Sequence, residues 1–107
     1  MILVNTETIV GKKLVKNIGY VKGNIIQARH IGKDFLAGLR NIVGGEIKEY
    51  TELMEEARKR AVKRMVDEAS GKGANAIVNM RFVTVQISQG AAEILVYGTA
   101  VVVEDEN

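Results

Sequence analysis

The last two extended segments of the chain are apolar on both faces, and this limits what the whole can fold into. Side chains on a strand alternate between faces. Along residues 75–88 the even positions Ala76, Val78, Met80 and Phe82 form one apolar face, a natural seat for a helix. In a plain two-layer monomer the odd positions would be polar. They hold Ile77, Val83, Val85 and Ile87, interrupted by Asn79 and Arg81. Residues 91–103 behave alike, with Ala92, Ile94, Val96, Ala100 and Val102 on one face and Leu95, Tyr97, Val101 and Val103 on the other. A parallel sheet with helices on both sides satisfies such strands, but the chain lacks the helices. Either the N-terminal ribbon and a short helix fold over the second face, or copies of the chain associate. Each buried Val, Ile or Leu contributes ~1.5 to 3 kcal/mol, against a net domain stability of only ~5 to 15 kcal/mol. The sequence therefore predicts an obligate homo-oligomer.

The 107 residues suit one domain, 1–107. Ile2-Leu3-Val4 opens a strand, and Lys12 to Ala28 reads as a bent or interrupted ribbon punctuated by Gly11, Gly19 and Gly23. From Lys33 to Val43, Phe35, Leu36, Leu39, Ile42 and Val43 make the stripe of a short helix that Asp34 can cap and Gly44-Gly45 ends. The strongest signal runs from about Glu46 to Ser70. Ile47, Tyr50, Met54, Ala57, Ala61 and Met65 form one stripe, with Glu55/Lys59 and Glu56/Arg60 at ion-pair spacing. Ser88-Gln89-Gly90-Ala91 then joins two long strands as a hairpin. The predicted fold class is α+β: an antiparallel sheet with one long helix packed on one face.

The chain has no cysteine, which removes disulfides, thiol nucleophiles and thiolate metal sites together. The formal net charge of +2 names no partner, and the three Tyr and two Phe leave little for stacking on bases. No apolar run approaches the ~20 residues of a membrane span, and nothing at the start reads as a signal peptide. The expectation is a soluble, cytoplasmic protein.

Chemical motifs reduce to structural ones. Gly71-Lys72-Gly73-Ala74-Asn75-Ala76 has dinucleotide-fingerprint spacing but follows a helix and opens a strand, the reverse of what pyrophosphate binding needs. It reads as a helix cap and turn. His30 is the single histidine and lies four residues before Asp34, short of the ligand count of a zinc site. The basic run Arg58 to Arg64 is flanked by Glu55, Glu56, Asp67 and Glu68 without interleaved aromatics, a solvated helix face and no case for nucleic acid. No serine has a nucleophile-elbow context, and no carboxylate dyad is apparent. Arg81 stands apart as a guanidinium on an apolar sheet face. An ion pair with Glu93 is its first reading, an inter-subunit anion site its second, and Asn79 could add a hydrogen bond to either.

Several blocks together resemble the YbjQ family: Asp34-Phe35, Arg40-Asn41-Ile42-Val43-Gly44-Gly45, Tyr50, Gly73-Ala74-Asn75-Ala76-Ile77-Val78, Arg81-Phe82 and Gly98-Thr99-Ala100-Val101. The likeness extends roughly from Met1 to Glu104. It implies a dodecin-like β-α-β-β subunit and a ring-shaped homopentamer. The family also carries a heavy-metal-binding label, for which this chain has no thiolate. A harder cation held by Asp34, Glu46 or Glu49 around a symmetry axis stays open. The sequence reading is a non-enzymatic oligomer that binds a small ligand or metal ion between subunits, with a ligand-free structural module as the alternative. Asp34, Arg40, Asn41, Tyr50 and Arg81 are its candidate ligand-binding residues. Asp34 and Arg40 serve equally as a helix cap and its neighbour, and Tyr50 as core.

Overall fold

A computed structural model describes residues 1–28, 48–88 and 91–106. The short helix expected over Lys33–Val43, with its Asp34 cap, lies outside the described residues. The elements are β1 (Ile2–Leu3), β2 (Lys12–Ala28), α1 (Lys48–Gly71), β3 (Ala76–Ser88) and β4 (Ala91–Asp105). They form one four-stranded sheet in the order β1-β3-β4-β2. β4 pairs antiparallel with β2 on one side and β3 on the other.

The sheet is mixed, not wholly antiparallel as expected, because β1 lies parallel to β3. After β1 the N-terminal segment leaves that edge and reaches β2, at the opposite edge. Its Ile2, Val4 and Ile9 pack on Ala76, Val78, Val101 and Val103. A turn with Gly11 at φ 81° then feeds β2. β2 is bent, as expected, by register shifts between Leu14 and Lys16 and between Asn17 and Gly19, where Gly19 has φ 128°.

α1 is 24 residues long, ~36 Å at ~1.5 Å per residue. Met54, Ala57, Ala61 and Met65 are buried as the stripe predicts, joined by Ala69. They sit on Val21 and Ile25 of β2, Ile94, Val96 and Ala100 of β4, and Ile77 of β3. A Cβ on Gly23 would lie 2.0 Å from the Ala61 carbonyl oxygen and 2.6 Å from the Met65 amide nitrogen. The absent side chain there lets the helix backbone rest directly on the strand. Among the described residues the i,i+4 ion pairs are Lys63–Asp67 at 3.0 Å and, just past the helix end, Lys72–Glu68 at 3.6 Å, in place of the expected Glu55/Lys59 and Glu56/Arg60.

The turn after α1 bears out the helix-cap reading. The Ala74 amide donates to the Ala69 carbonyl at 3.0 Å and the Gly73 amide to the Ser70 carbonyl at 3.1 Å. With Gly73 at φ 86°, this is the Schellman pattern that ends helices. Asn75 then acts as a substitute strand. Its Nδ2 donates to the Val103 carbonyl at 2.9 Å, and its Oδ1 accepts from the Val103 amide at 2.8 Å.

Candidate functional site

Which face each residue of β3 occupies depends on one irregularity. Val78 is opposite Thr99 and Arg81 opposite Tyr97, so Asn79 and Met80 together face Gly98. This is a β-bulge, and Asn79 takes the left-handed φ of 54° that asparagine tolerates better than most residues. A Cβ on Gly98 would meet Ile77 Cγ2 at 2.6 Å and the Val78 carbonyl oxygen at 3.0 Å. The extra residue reverses the alternation. Of the even positions expected to seat the helix, Ala76 and Val78 therefore do not, while Met80 beyond the irregularity packs against the helix-side core and Phe82 is on that side. Ile77 packs under α1, while Ala76 and Val78 pack with the N-terminal segment on the reverse face. Beyond the bulge, Phe82 and Thr84 are opposite the helix-side residues Val96 and Ile94. Arg81, Val83 and Val85 fall on the reverse face.

Among the described residues that face is covered over one half. The N-terminal segment shields Val101 and Val103. The rest shows three cross-sheet rows: Arg81–Tyr97–Lys22, Val83–Leu95–Asn24 and Val85–Glu93–Ile26. Every residue of β3 from Arg81 to Ser88 is exposed. Phe82 on one face and Val85 on the other are 43% and 50% exposed, and Ile87 is 54% exposed.

The ion pair expected between Arg81 and Glu93 does not form. Both residues are on the reverse face, but Arg81 is opposite Tyr97 and Glu93 opposite Val85. The two positions are four residues apart along β4, ~13 Å of strand. Arg81 Nη1 instead donates to two backbone carbonyls, Asn5 at 2.7 Å and Met80 at 3.0 Å. The guanidinium is anchored, and it meets no carboxylate among the described residues. Asn79 spends its backbone amide on the Thr6 carbonyl at 2.9 Å. Beside the Arg81 row, Tyr20 and Tyr97 have ring centroids 6.5 Å apart with planes inclined by 47°. Sequence reasoning missed Lys22 and Tyr97, which only the register aligns with Arg81, and Tyr20 in the next row.

Of the other candidates, Asp34, Arg40 and Asn41 lie outside the described residues. Tyr50 is in the first turn of α1, and its side chain lies outside them as well. The donor set does not suit a thiophilic metal. There is no cysteine, and the thioethers of Met54 and Met65 are locked in the core. Among the described residues no three His, Asp or Glu side chains come together. No helix there is long and apolar enough to cross a membrane.

Comparison with known proteins agrees with this architecture. The model of the YbjQ family, described as "Putative heavy-metal-binding", matches residues 1–104. A UPF0145 protein of Dehalococcoides mccartyi is 61% identical over 104 residues, covering 97% of this chain and 100% of the relative. One from Methanosarcina acetivorans is 54% identical over 101 residues, 94% of this chain and 95% of that protein. These names state no activity. A crystal structure from Pediococcus pentosaceus, of a protein of unknown function in the DUF74 family, shares the fold. Its TM-score is 0.62 at 13% identity, over 97% of this chain and 98% of that one. By the length and closeness of these matches, the chain belongs to the YbjQ family.

Proposed function

We propose that the protein is a homo-oligomeric binding protein without catalytic activity, which takes a small ligand in clefts between subunits. One observation carries the reading: the outer half of β3 exposes large apolar side chains on both faces, with Phe82, Val83, Val85 and Ile87 all exposed. The exposed surface is 7312 Å², against ~5900 Å² for a folded monomer of this mass. The radius of gyration is 17.6 Å, against ~13 Å for a compact domain of this length. A ring of five is the number the family resemblance implies.

Native mass spectrometry of untreated protein tests this. The expected result is a defined multiple of the 11.7 kDa chain carrying extra mass that denaturation releases. A clean multiple with no retained mass, unresponsive to a broad ligand panel, would favour a structural module. Retained soft metal would contradict the donor chemistry described above.

A further inference from the structure

We infer that the row Lys22–Tyr97–Arg81, with Tyr20 beside it, binds an organic anion carrying a flat aromatic ring, the chemistry of a nucleotide. The inference deepens the cleft reading and rests on it for the closure of the site's open side. Lys22 and Arg81 are the direct cross-strand partners of Tyr97, so all three side chains leave the same face. Strands are ~4.8 Å apart, which sets the Lys22 and Arg81 positions one on either side of Tyr97, with the Arg81 guanidinium reaching outward to the Asn5 carbonyl. Tyr20 occupies the next row, opposite Thr99, and is 59% exposed. Tyr97 thus stands between the two cationic positions and Tyr20, inclined to it by 47°, adds a second ring on the Lys22 side, aromatic surface beside positive charge of the kind that accepts bases together with their phosphates.

The bonds from Arg81 Nη1 go to neutral carbonyls, and neither Arg81 nor Lys22 joins an ion pair among the described residues. Glu93, the acidic side chain in these three rows, is two rows away beyond Leu95. Anchoring also matters. A guanidinium already held by the Asn5 carbonyl loses little freedom on meeting a ligand, and its remaining donors suit a phosphate or carboxylate edge. Tyrosines alone would suit a neutral ring, and cations alone an inorganic ion. Their alternation across the sheet selects a ligand with both parts.

Isothermal titration calorimetry with adenosine monophosphate, ribose 5-phosphate, inorganic phosphate and a short single-stranded oligonucleotide tests the inference, with sedimentation velocity on the same samples. Adenosine monophosphate is expected to bind at least tenfold more tightly than ribose 5-phosphate. Tyr97→Leu should abolish that preference, and Lys22→Ala should weaken both ligands several-fold. Lys22 is exposed, so its variant keeps the test decisive if Tyr97→Leu fails to fold. An assembled protein that gives no heat with adenosine monophosphate overturns the proposal, as does binding that Lys22→Ala leaves unchanged. Tenfold tighter binding of the oligonucleotide would replace the free nucleotide with nucleic acid. Ring-selective binding by a single sedimenting chain would sink the cleft reading and leave this site standing.

Discussion

Replacing Gly23 by alanine adds one methyl group to a strand, and strand propensity alone makes that change favourable. The packing predicts the opposite. The new Cβ would be 2.0 Å from the Ala61 carbonyl oxygen and 2.6 Å from the Met65 amide nitrogen, both helix backbone. Backbone cannot rotate aside. To restore an ordinary 3.4 Å contact from 2.0 Å, α1 must retreat by 1.4 Å. That retreat loosens Ala57, Ala61 and Met65, which are now fully buried. Overpacking costs ~1 to 3 kcal/mol where side chains can yield, and with a rigid obstacle the expected loss is about 3 kcal/mol. At roughly 4 °C per kcal/mol, the melting temperature should fall by about 12 °C, read by circular dichroism at one matched concentration because assembly couples to stability. Gly71→Ala is the control. Nothing lies within 4 Å of its added Cβ, so the change should be neutral or stabilising by up to about 1 kcal/mol. A Gly23→Ala protein as stable as the parent would refute direct seating of the helix on β2.

Three further outcomes follow from local geometry. Asn75→Ala removes both bonds to the Val103 backbone and should cost about 2 kcal/mol in urea unfolding; a cost below half of that would mean water replaces the side chain without penalty. At the bulge, Asn79 holds φ 54°, so Asn79→Gly should be neutral or stabilising while Asn79→Ala loses about 1 kcal/mol; equal stability of the two variants would argue against the left-handed residue. The hydrogen bond from Lys12 and its positive charge hold the Asp105 carboxyl below its ordinary value. A lowered native pKa means that the pair stabilises the fold above the ordinary carboxylate range and ceases to as pH falls through the native value. The stability gap between the parent and Asp105→Asn should therefore close on acidification, and a gap independent of pH would contradict the pairing.

The long helix and the closing hairpin were legible because their signals are local. The stripe Met54, Ala57, Ala61 and Met65 is buried as its spacing requires, and Gly73 ends the helix as its place in the motif suggests. On β4 strict alternation holds, since Ile94, Val96 and Ala100 pack under α1 while Val101 and Val103 face away. On β3 the same rule failed at one residue. The bulge at Asn79 and Met80 exchanges the two faces, and the weak trace it left was an asparagine breaking an apolar run. The Arg81–Glu93 pair failed for a different reason. Alternation assigns the face of a strand residue and not its register, and ~13 Å of strand separates two positions of equal parity. The parallel placement of β1 depends on a contact between Ile2 and Ala76, which no nearby pattern encodes. The N-terminal segment proved to cover part of the reverse face, so the two ways of burying it are not exclusive. What it leaves open is the Arg81 row and the hairpin tip.

Sedimentation velocity at micromolar dilution decides whether copies of the chain associate. One folded species several times heavier than the 11.7 kDa chain is expected, converted to smaller or unfolded species by Val85→Asp on the open sheet face. A stable, fully folded particle of one chain would contradict that expectation.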